Sequence, residues 1–411
     1  MRLLHISDWH LGRVTYTCPR SPDHDRVIRE ITDIARDFRP HLICHTGDVF
    51  DSLRPSYPDL IRGVDALQAL AAIAPVLVVC GNHDSPALFR LFATLLGKRS
   101  RLHFIDSARP PEIGGVLEFP GAKAEIIRIA PLPFVHGNRF VDAFEDSSTW
   151  MATYADRIQR IEDALGRGLT DGFDPSRHIL IFAAHLHVTG AVFSGSERAL
   201  HVTDTYASRL ERIPQVSYAA FGHIHRPQPL PGSVTGWYAG SPIPLDFGER
   251  DETKLVVAVE AEPSRPALIK THELSGGRPL RRLAGTLEEL QSLAPTVGDA
   301  LCVVTARTKQ PMSDLDDRIR ELFPAATLLN VTEDCAARQL SVLEVRDAPS
   351  ESEPSFSEMF REYLAAEGTR GAEADSVLRT FDSLIRAVEQ ENEPLFPEME
   401  ALQRTLEESL P

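Results

Sequence analysis

Five short blocks of this sequence are rich in side chains that bind metals or move protons. They are "SDWH", with Asp8 and His10; "GDVFD", with Asp48 and Asp51; "GNHDSP", with Asn82, His83 and Asp84; "AAHLH", with His185 and His187; and "GHIH", with His223 and His225. Residues i and i+2 of an extended chain point the same way, so Asp8 and His10 are expected to face one ion. Asp48 brings a carboxylate able to bridge two ions, Asn82 a neutral oxygen, and His185, His223 and His225 imidazole nitrogens. A mixed oxygen and nitrogen set suits Mn²⁺, Fe or Zn²⁺ better than Ca²⁺ or Mg²⁺. No thiolate stands in these blocks, which argues against a structural zinc site. Two ions about 3.5–4 Å apart clamp an in-line displacement at phosphorus and supply a nucleophile at neutral pH. His83 adjoins Asn82 without being an obvious ligand, so it is expected to donate a hydrogen bond or a proton, with Asp84 orienting it.

Each block follows a short apolar run that reads as a buried strand: "RLLHIS", "HLICHTG", "VLVVCG", "HILIFAA" and "SYAAFG". Sites in α/β sheets form beyond the carboxyl ends of strands, so five such ends converge on one site better than they fit five accidents. Helical patterns lie between them. "DRVIREITDIARDF" puts Val27, Ile28, Ile31, Ile34, Ala35 and Phe38 on one stripe, and "YPDLIRGVDALQALAAI" and "SPALFRLFATLLG" follow the second and third strands. In the last of these, Leu88, Leu91, Phe92 and Leu95 are expected to face the core, leaving Phe89 exposed for a second copy of the chain. Residues 140–168 read as a longer helical insertion. A second set of strands is expected at "LHFID", "AEIIRIAPL", "GWYAGSPI" and "KLVVAVEAE", giving two sheets with helices outside.

The Pro- and Gly-rich stretch after residue 262 reads as a boundary. The expected organisation is a site-bearing domain over residues 1–270, a small α+β domain over 275–346, and a linker with C-terminal helices over 347–411. Two apolar stripes mark those helices, Phe356, Met359, Phe360, Tyr363 and Leu364, then Val377, Leu378, Phe381, Leu384, Ile385 and Val388. The chain has 411 residues, 43% of them hydrophobic, and a net charge of −16. Such an acidic chain is a poor nucleic-acid binder unless cations or a basic partner change the local sign. No apolar run approaches the ~18–20 residues that span a bilayer, and His5, Asp8 and His10 interrupt the N-terminus too early for a signal-peptide core. A cytoplasmic protein is expected. The five cysteines form no paired motif and read as reduced thiols. His5 reads as a hydrogen-bonded core residue. His45 and Asp51 are candidates for support behind the ligands. His24, His136 and His201 read as ordinary surface or loop residues.

The ordered blocks resemble the signature of the calcineurin-like binuclear metallophosphoesterases. That resemblance implies a two-sheet α/β core flanked by helices. It also implies one metal held by Asp8, His10, Asp48 and His225, a second held by Asp48, Asn82, His185 and His223, and His83 as the catalytic histidine. His185 ends its strand and is taken as the ligand, with His187 as the alternative. Within the superfamily, "DWHLGR", "GDVFDSLRPSY", "GNHDSP", "FGHIHRPQ" and "YAGSPIPLDFGE" are similar to blocks of the SbcD family of nuclease subunits, strongly over residues 1–250. This implies a Mn²⁺-dependent DNA nuclease in repair, recombination and replication. Its expected activities are 3′→5′ exonuclease on duplex ends and endonuclease on single strands and hairpins. The implied partners are DNA, a second copy of the chain, and an SbcC-type coiled-coil ATPase docked by the C-terminal helices, giving a heterotetramer. A small capping domain is implied for residues 275–346. The rival readings are a small-molecule or cyclic-nucleotide phosphodiesterase, which shares every ligand, and a scaffold with a dead site, which the intact ligand set opposes.

Overall fold

The computed structural model describes residues 1–97, 99–136, 154–195, 197, 207–208, 215–337, 355–366 and 371–389. Met1–Arg338 form one compact unit and Gln339–Pro411 another.

Two six-stranded sheets make the first unit's core. In one, the strand Arg2–Ile6 lies between Leu255–Glu260 (antiparallel) and Leu42–His45 (parallel), and Val76–Val79 and Leu102–Ile105 extend the parallel run. In the other, His178–His185 lies between Ile126–Leu132 and Tyr218–Gly222, all parallel. The inner faces pack on each other through Leu3, Leu42, Leu77 and Val257 from the first sheet and Ile127, Ile181 and Tyr218 from the second. Outside the first sheet lie the helices α1 (Ser21–Phe38), α2 (Tyr57–Ile73) and α3 (Pro86–Leu96). Outside the second lies α4 (Tyr154–Thr170), whose Ile158, Ile161 and Leu165 are buried. Strands covered on both faces are apolar throughout, which is why the "VLVV" and "LICH" runs are fully buried.

The two-sheet expectation holds, but the strands are partitioned differently. The strands ahead of the first three blocks share the first sheet with "LHFI" and "LVVAVE", and those ahead of the last two belong to the second sheet. The site therefore lies across the ends of both sheets rather than of one. Of the expected insertion over 140–168, residues 140–153 lie outside the described residues, and the remainder is α4.

The face of α3 is also corrected. Phe89 is fully buried and packs edge-on against Phe104 at 5.1 Å, whereas Leu91 and Leu95 are 51% and 73% exposed. Leu88 and Phe92 are only partly buried beside Phe89. The buried stripe thus runs through positions i, i+1 and i+4, and the i+3 and i+7 leucines face out.

A third sheet of three parallel strands, Leu280–Gly285, Leu301–Thr308 and Thr327–Cys335, carries α5 (Leu287–Val297) and α6 (Leu315–Leu322). It joins the core through Phe247, Leu280, Leu301 and Val303. A buried ion network lies beside this contact. Arg20 and Asp23 are fully buried and 2.8 Å apart, and Arg278 reaches Asp23 at 2.9 Å. His24 on α1 is buried as well, against the surface placement expected for it; burial and the nearby Arg20 lower its pKa to about 4. His5 is the expected core histidine, bonded to Tyr218 and Thr46. His201 lies outside the described residues. None of the five cysteines is in a disulfide. Among the described residues no helix is long and apolar enough to cross a membrane.

In the second unit, the helices Phe356–Ala366 and Ala372–Glu389 pack with Phe360 stacked on Phe381 at 4.1 Å. Phe356, Met359 and Tyr363 remain 44–65% exposed. The side chain of Val388 and most of the linker lie outside the described residues.

Candidate metal centre

The five blocks form tight loops at the strand ends. The first runs alongside the second: the N–H groups of Asp8, His10 and Leu11 donate to the carbonyls of Gly47, Asp48 and Val49 at 2.9–3.0 Å. Asp8, His10, Asp48 and His223 have φ of 50°, 49°, 52° and 92°. Left-handed backbone at non-glycine residues costs about 1–3 kcal/mol each and persists where its surroundings over-determine it. Asp8 and His10 therefore converge through a left-handed loop, not through the extended i, i+2 geometry expected of them. Glycines let the loops close. A Cβ on Gly81 would collide with the Asp48 carboxylate, and one on Gly222 with Ser7 Oγ and the Thr46 carbonyl.

All seven expected ligands are buried and lie together. His10 Nε2 faces His225 Nε2 at 3.1 Å. Asp48 Oδ2 lies 3.5 Å from His10 Nε2 and 3.5 Å from His185 Nε2, between the two halves of the cluster. Asn82 Oδ1 lies 2.8 Å from both His185 Nε2 and His223 Nδ1. Three overlapping groups have donor atoms mutually within 4.8 Å: Asp8, His10 and His225; Asp8, Asp48 and His185; and His10, Asp48 and His83. His187 is outside these groups and packs against Phe193 at 4.7 Å.

The far nitrogens settle what the near ones present. His10 Nδ1 meets Asp51 Oδ1 at 3.1 Å, His225 Nδ1 meets Glu249 Oε1 at 3.1 Å, and His185 Nδ1 meets the Thr46 carbonyl at 2.7 Å. Carboxylates and carbonyls only accept, so each Nδ1 carries a proton and a neutral ring aims its Nε2 lone pair inward. Facing lone pairs at 3.1 Å repel, and a cation has to lie between them. Burial opposes charge on His225, but Glu249 and Asp8 lift its pKa to about 9. Burial likewise opposes charge on His185, and Asp48 and Asp8 raise it to about 9. Burial lowers His10 to about 4 and raises Asp8 to about 6. Burial also disfavours the charge of Asp48, but His185 and His83 hold its carboxyl well below the usual range. Inward-facing imidazoles, two carboxylates and an amide oxygen fit divalent cations.

His83 is half-buried at the edge of this cluster. Its N–H donates to Asp48 Oδ1 at 2.8 Å, its Nδ1 meets the Asp51 carbonyl at 2.9 Å, and its ring stands edge-on to His10 at 4.7 Å. Asp84 does not orient it, which corrects the expected role. The Asp84 carboxylate accepts from the backbone N–H groups of Val49, Phe50 and Gly81, at 3.3, 3.0 and 3.0 Å. Burial and the Asp48 charge push its pKa up to about 7. Of the support candidates, Asp51 does hold His10; His45 packs edge-on against Trp9 at 4.8 Å.

Sequence reasoning gives no role to Glu249, Lys254 or Phe134. Glu249 and Lys254 are buried 2.6 Å apart behind His225, and Phe134 stacks on His223 at 5.6 Å. The signal is faint: a Glu at the end of "PLDFGE" and an apolar "APLPFV" run look like loop and core.

The calcineurin-like phosphoesterase family model matches residues 1–227, and the model of the type 5 capsule protein repressor C-terminal domain matches residues 277–368. The SbcD component of the SbcCD nuclease of Bacillus subtilis is 31% identical over 68% of this chain and 71% of its own. That of Escherichia coli K12 is 25% identical over 96% of this chain and 100% of its own. That of Rhodobacter capsulatus is 27% identical over 71% and 76%.

Proposed function

Because the chain belongs to the calcineurin-like phosphoesterase family, among the SbcD components of SbcCD nucleases, we propose that its buried cluster holds two divalent ions, Mn²⁺ in the first instance, and cuts phosphodiester bonds of DNA. The observation that carries this reading is the 3.1 Å approach of His10 Nε2 and His225 Nε2, each with its far nitrogen on a carboxylate. Asp8, His10, Asp48 and His225 would hold one ion; Asp48, Asn82, His185 and His223 the other. The ions would supply a nucleophile at neutral pH and neutralise charge at phosphorus. Asp48 Oδ2, placed between His10 and His185, fixes the spacing of the two halves. Asp51 and Glu249 hold two imidazoles with Nε2 inward. His83, with Nδ1 engaged by the Asp51 carbonyl, keeps Nε2 to steady the charged transition state or to protonate the leaving oxygen.

Three finer readings go with this one. The activities are 3′→5′ exonuclease on duplex ends and endonuclease on single strands and hairpins. The chain pairs with a second copy through the outward faces of α2 and α3, where Tyr57, Ile61, Leu91 and Leu95 are 51–83% exposed. The helices after residue 355 dock an SbcC-type coiled-coil ATPase, forming a heterotetramer in which Phe356, Met359 and Tyr363 are the apolar anchors.

Metal-stripped protein, reloaded with Mn²⁺ or Mg²⁺ and tested with and without the ATPase, separates this reading from its rivals. Linear duplex, hairpin and cyclic-nucleotide substrates are compared. Cleavage of DNA with Mn²⁺, much weaker with Mg²⁺ and abolished by chelation, is expected. Turnover of cyclic nucleotides alone points to the small-molecule reading, and no turnover with two ions bound points to a dead site.

A further inference from the structure

The short helical turn Phe247–Glu249 touches two places at once. At one end Glu249 is fully buried and divides its carboxylate. Oε1 meets His225 Nδ1 at 3.1 Å, while Oε2 takes Lys254 Nζ at 2.6 Å, Ser241 Oγ at 2.9 Å and the Leu245 N–H at 3.1 Å. Lys254 Nζ also donates to the His225 carbonyl at 3.1 Å, so both ends of His225 are gripped by one buried ion pair. At the other end Phe247 packs with Leu280, Leu301 and Val303 of the small sheet, and the Arg282 guanidinium lies 4.8 Å from its ring. The chain leading into the turn is tied to the same junction. Arg20 donates to the Pro244 carbonyl at 2.7 Å and to the Arg278 carbonyl at 3.3 Å, and Thr15 Oγ1 donates to the Leu245 carbonyl at 2.9 Å.

We propose that Glu249 is a positioning residue for His225, and that the docked small domain holds Glu249 in place through Phe247. This rests on the two-ion reading above. A carboxylate on the far nitrogen of a ligating imidazole fixes its tautomer and its orientation. Here one oxygen is saturated by Lys254, Ser241 and Leu245, so the other is left with a fixed direction toward His225. Only Gly248 separates Phe247 from Glu249, so the packing of Phe247 against the small sheet sets where that carboxylate stands. The small domain thereby acts on one ion, the one His225 would hold, and not on the other.

Calorimetric titration of Mn²⁺ into chelator-stripped, full-length protein tests this. Glu249→Gln is expected to weaken one of two ions by about 10–100-fold, the range for loss of such a partner, with the other unchanged. Phe247→Ala is expected to weaken the same ion by less, and Phe247→Leu, which keeps an apolar anchor, to restore it. Should Glu249→Gln fail to fold around the buried Lys254, the double variant Glu249→Gln/Lys254→Met removes both charges and is expected to show the same one-ion loss. Wild-type protein that binds no Mn²⁺ overturns the two-ion reading and this inference with it. Two ions in the wild type, with Glu249→Gln unchanged or weakened equally at both, overturn this inference alone. So does Phe247→Ala with wild-type affinity at both ions.

Discussion

On the role proposed for His83, replacing it with Gln is expected to separate proton transfer from metal binding. The backbone N–H of residue 83, which donates to Asp48 Oδ1 at 2.8 Å, survives the change. The Gln amide also keeps a donor for the Asp51 carbonyl, the partner of His83 Nδ1 at 2.9 Å. The cost to stability is therefore at most that of one ordinary hydrogen bond, about 0.5–1.5 kcal/mol. The amide neither gives up nor takes a proton, so the acid–base contribution proposed for His83 would be lost outright. That is worth about 10²–10⁴-fold in rate, or about 3–5 kcal/mol of transition-state stabilisation at 1.36 kcal/mol per tenfold. Metal content by mass spectrometry and initial rates on linear duplex DNA are measured on the same preparation. Two bound ions with a rate down by that factor are expected. Bis-p-nitrophenyl phosphate sharpens the result, since its leaving group departs without a proton and should suffer much less if His83 serves the leaving oxygen. Metal and rate falling in parallel would refute the reasoning and make His83 a ligand.

The Asp23 network predicts acid sensitivity. Burial disfavours the Asp23 charge, but Arg278 and Arg20 hold its pKa at about 2, below the ordinary value of 3.8. Its stabilisation is complete above pH ~4 and lost as pH falls through about 2, about 2–3 kcal/mol for a shift near two units. Denaturant melts over that range should show the loss in the wild type and a flatter profile in Asp23→Asn, which starts about 3–5 kcal/mol lower at pH 7 for breaking a buried pair. On α3, Phe89→Ala should destabilise by about 3–5 kcal/mol as a core truncation. Leu95→Glu should leave the melt unchanged and, by light scattering, convert a dimer to a monomer; a monomeric wild type contradicts the dimer. Deleting residues 350–411 should preserve the melt and the nuclease site while abolishing co-purification with the ATPase, whereas unchanged binding would reduce the helices to a cap.

That these side chains come together is legible in the sequence because they are few, chemically distinctive and each placed just after a buried apolar run. Strand existence follows from the same runs, since "VLVV" and "LICH" have one structural solution when both faces are covered. Three things are not legible. The assignment of strands to sheets depends on long-range pairing, such as Arg2–Ile6 with Leu255–Glu260, that no local pattern encodes. The face of α3 is ambiguous because Leu88, Phe89, Leu91, Phe92 and Leu95 are all apolar, and it is the packing of the sheet beneath, Phe104 included, that takes Phe89 into the core. Glu249 escapes notice because an acidic residue in a loop reads as solvated, while its burial is made tolerable by Lys254, Ser241 and His225, whose side chains only the fold turns toward it.

Asp84 shows why adjacency in a motif is a poor guide to role. Next to His83 in "GNHD", it looks like the carboxylate that orients an acid–base histidine. The loop turns between the two residues, so their side chains leave in different directions. His83 reaches the Asp51 carbonyl, and Asp84 reaches the amides of Val49, Phe50 and Gly81. Those amides belong to the two loops that carry Asp48 and Asn82. One carboxylate thereby ties the loop of Asp48 to the loop of Asn82. An amide in its place offers one accepting oxygen where the carboxylate offers two, and the two loops lose their tie. The Asp84 side chain thus joins two backbone loops rather than holding the ring of His83.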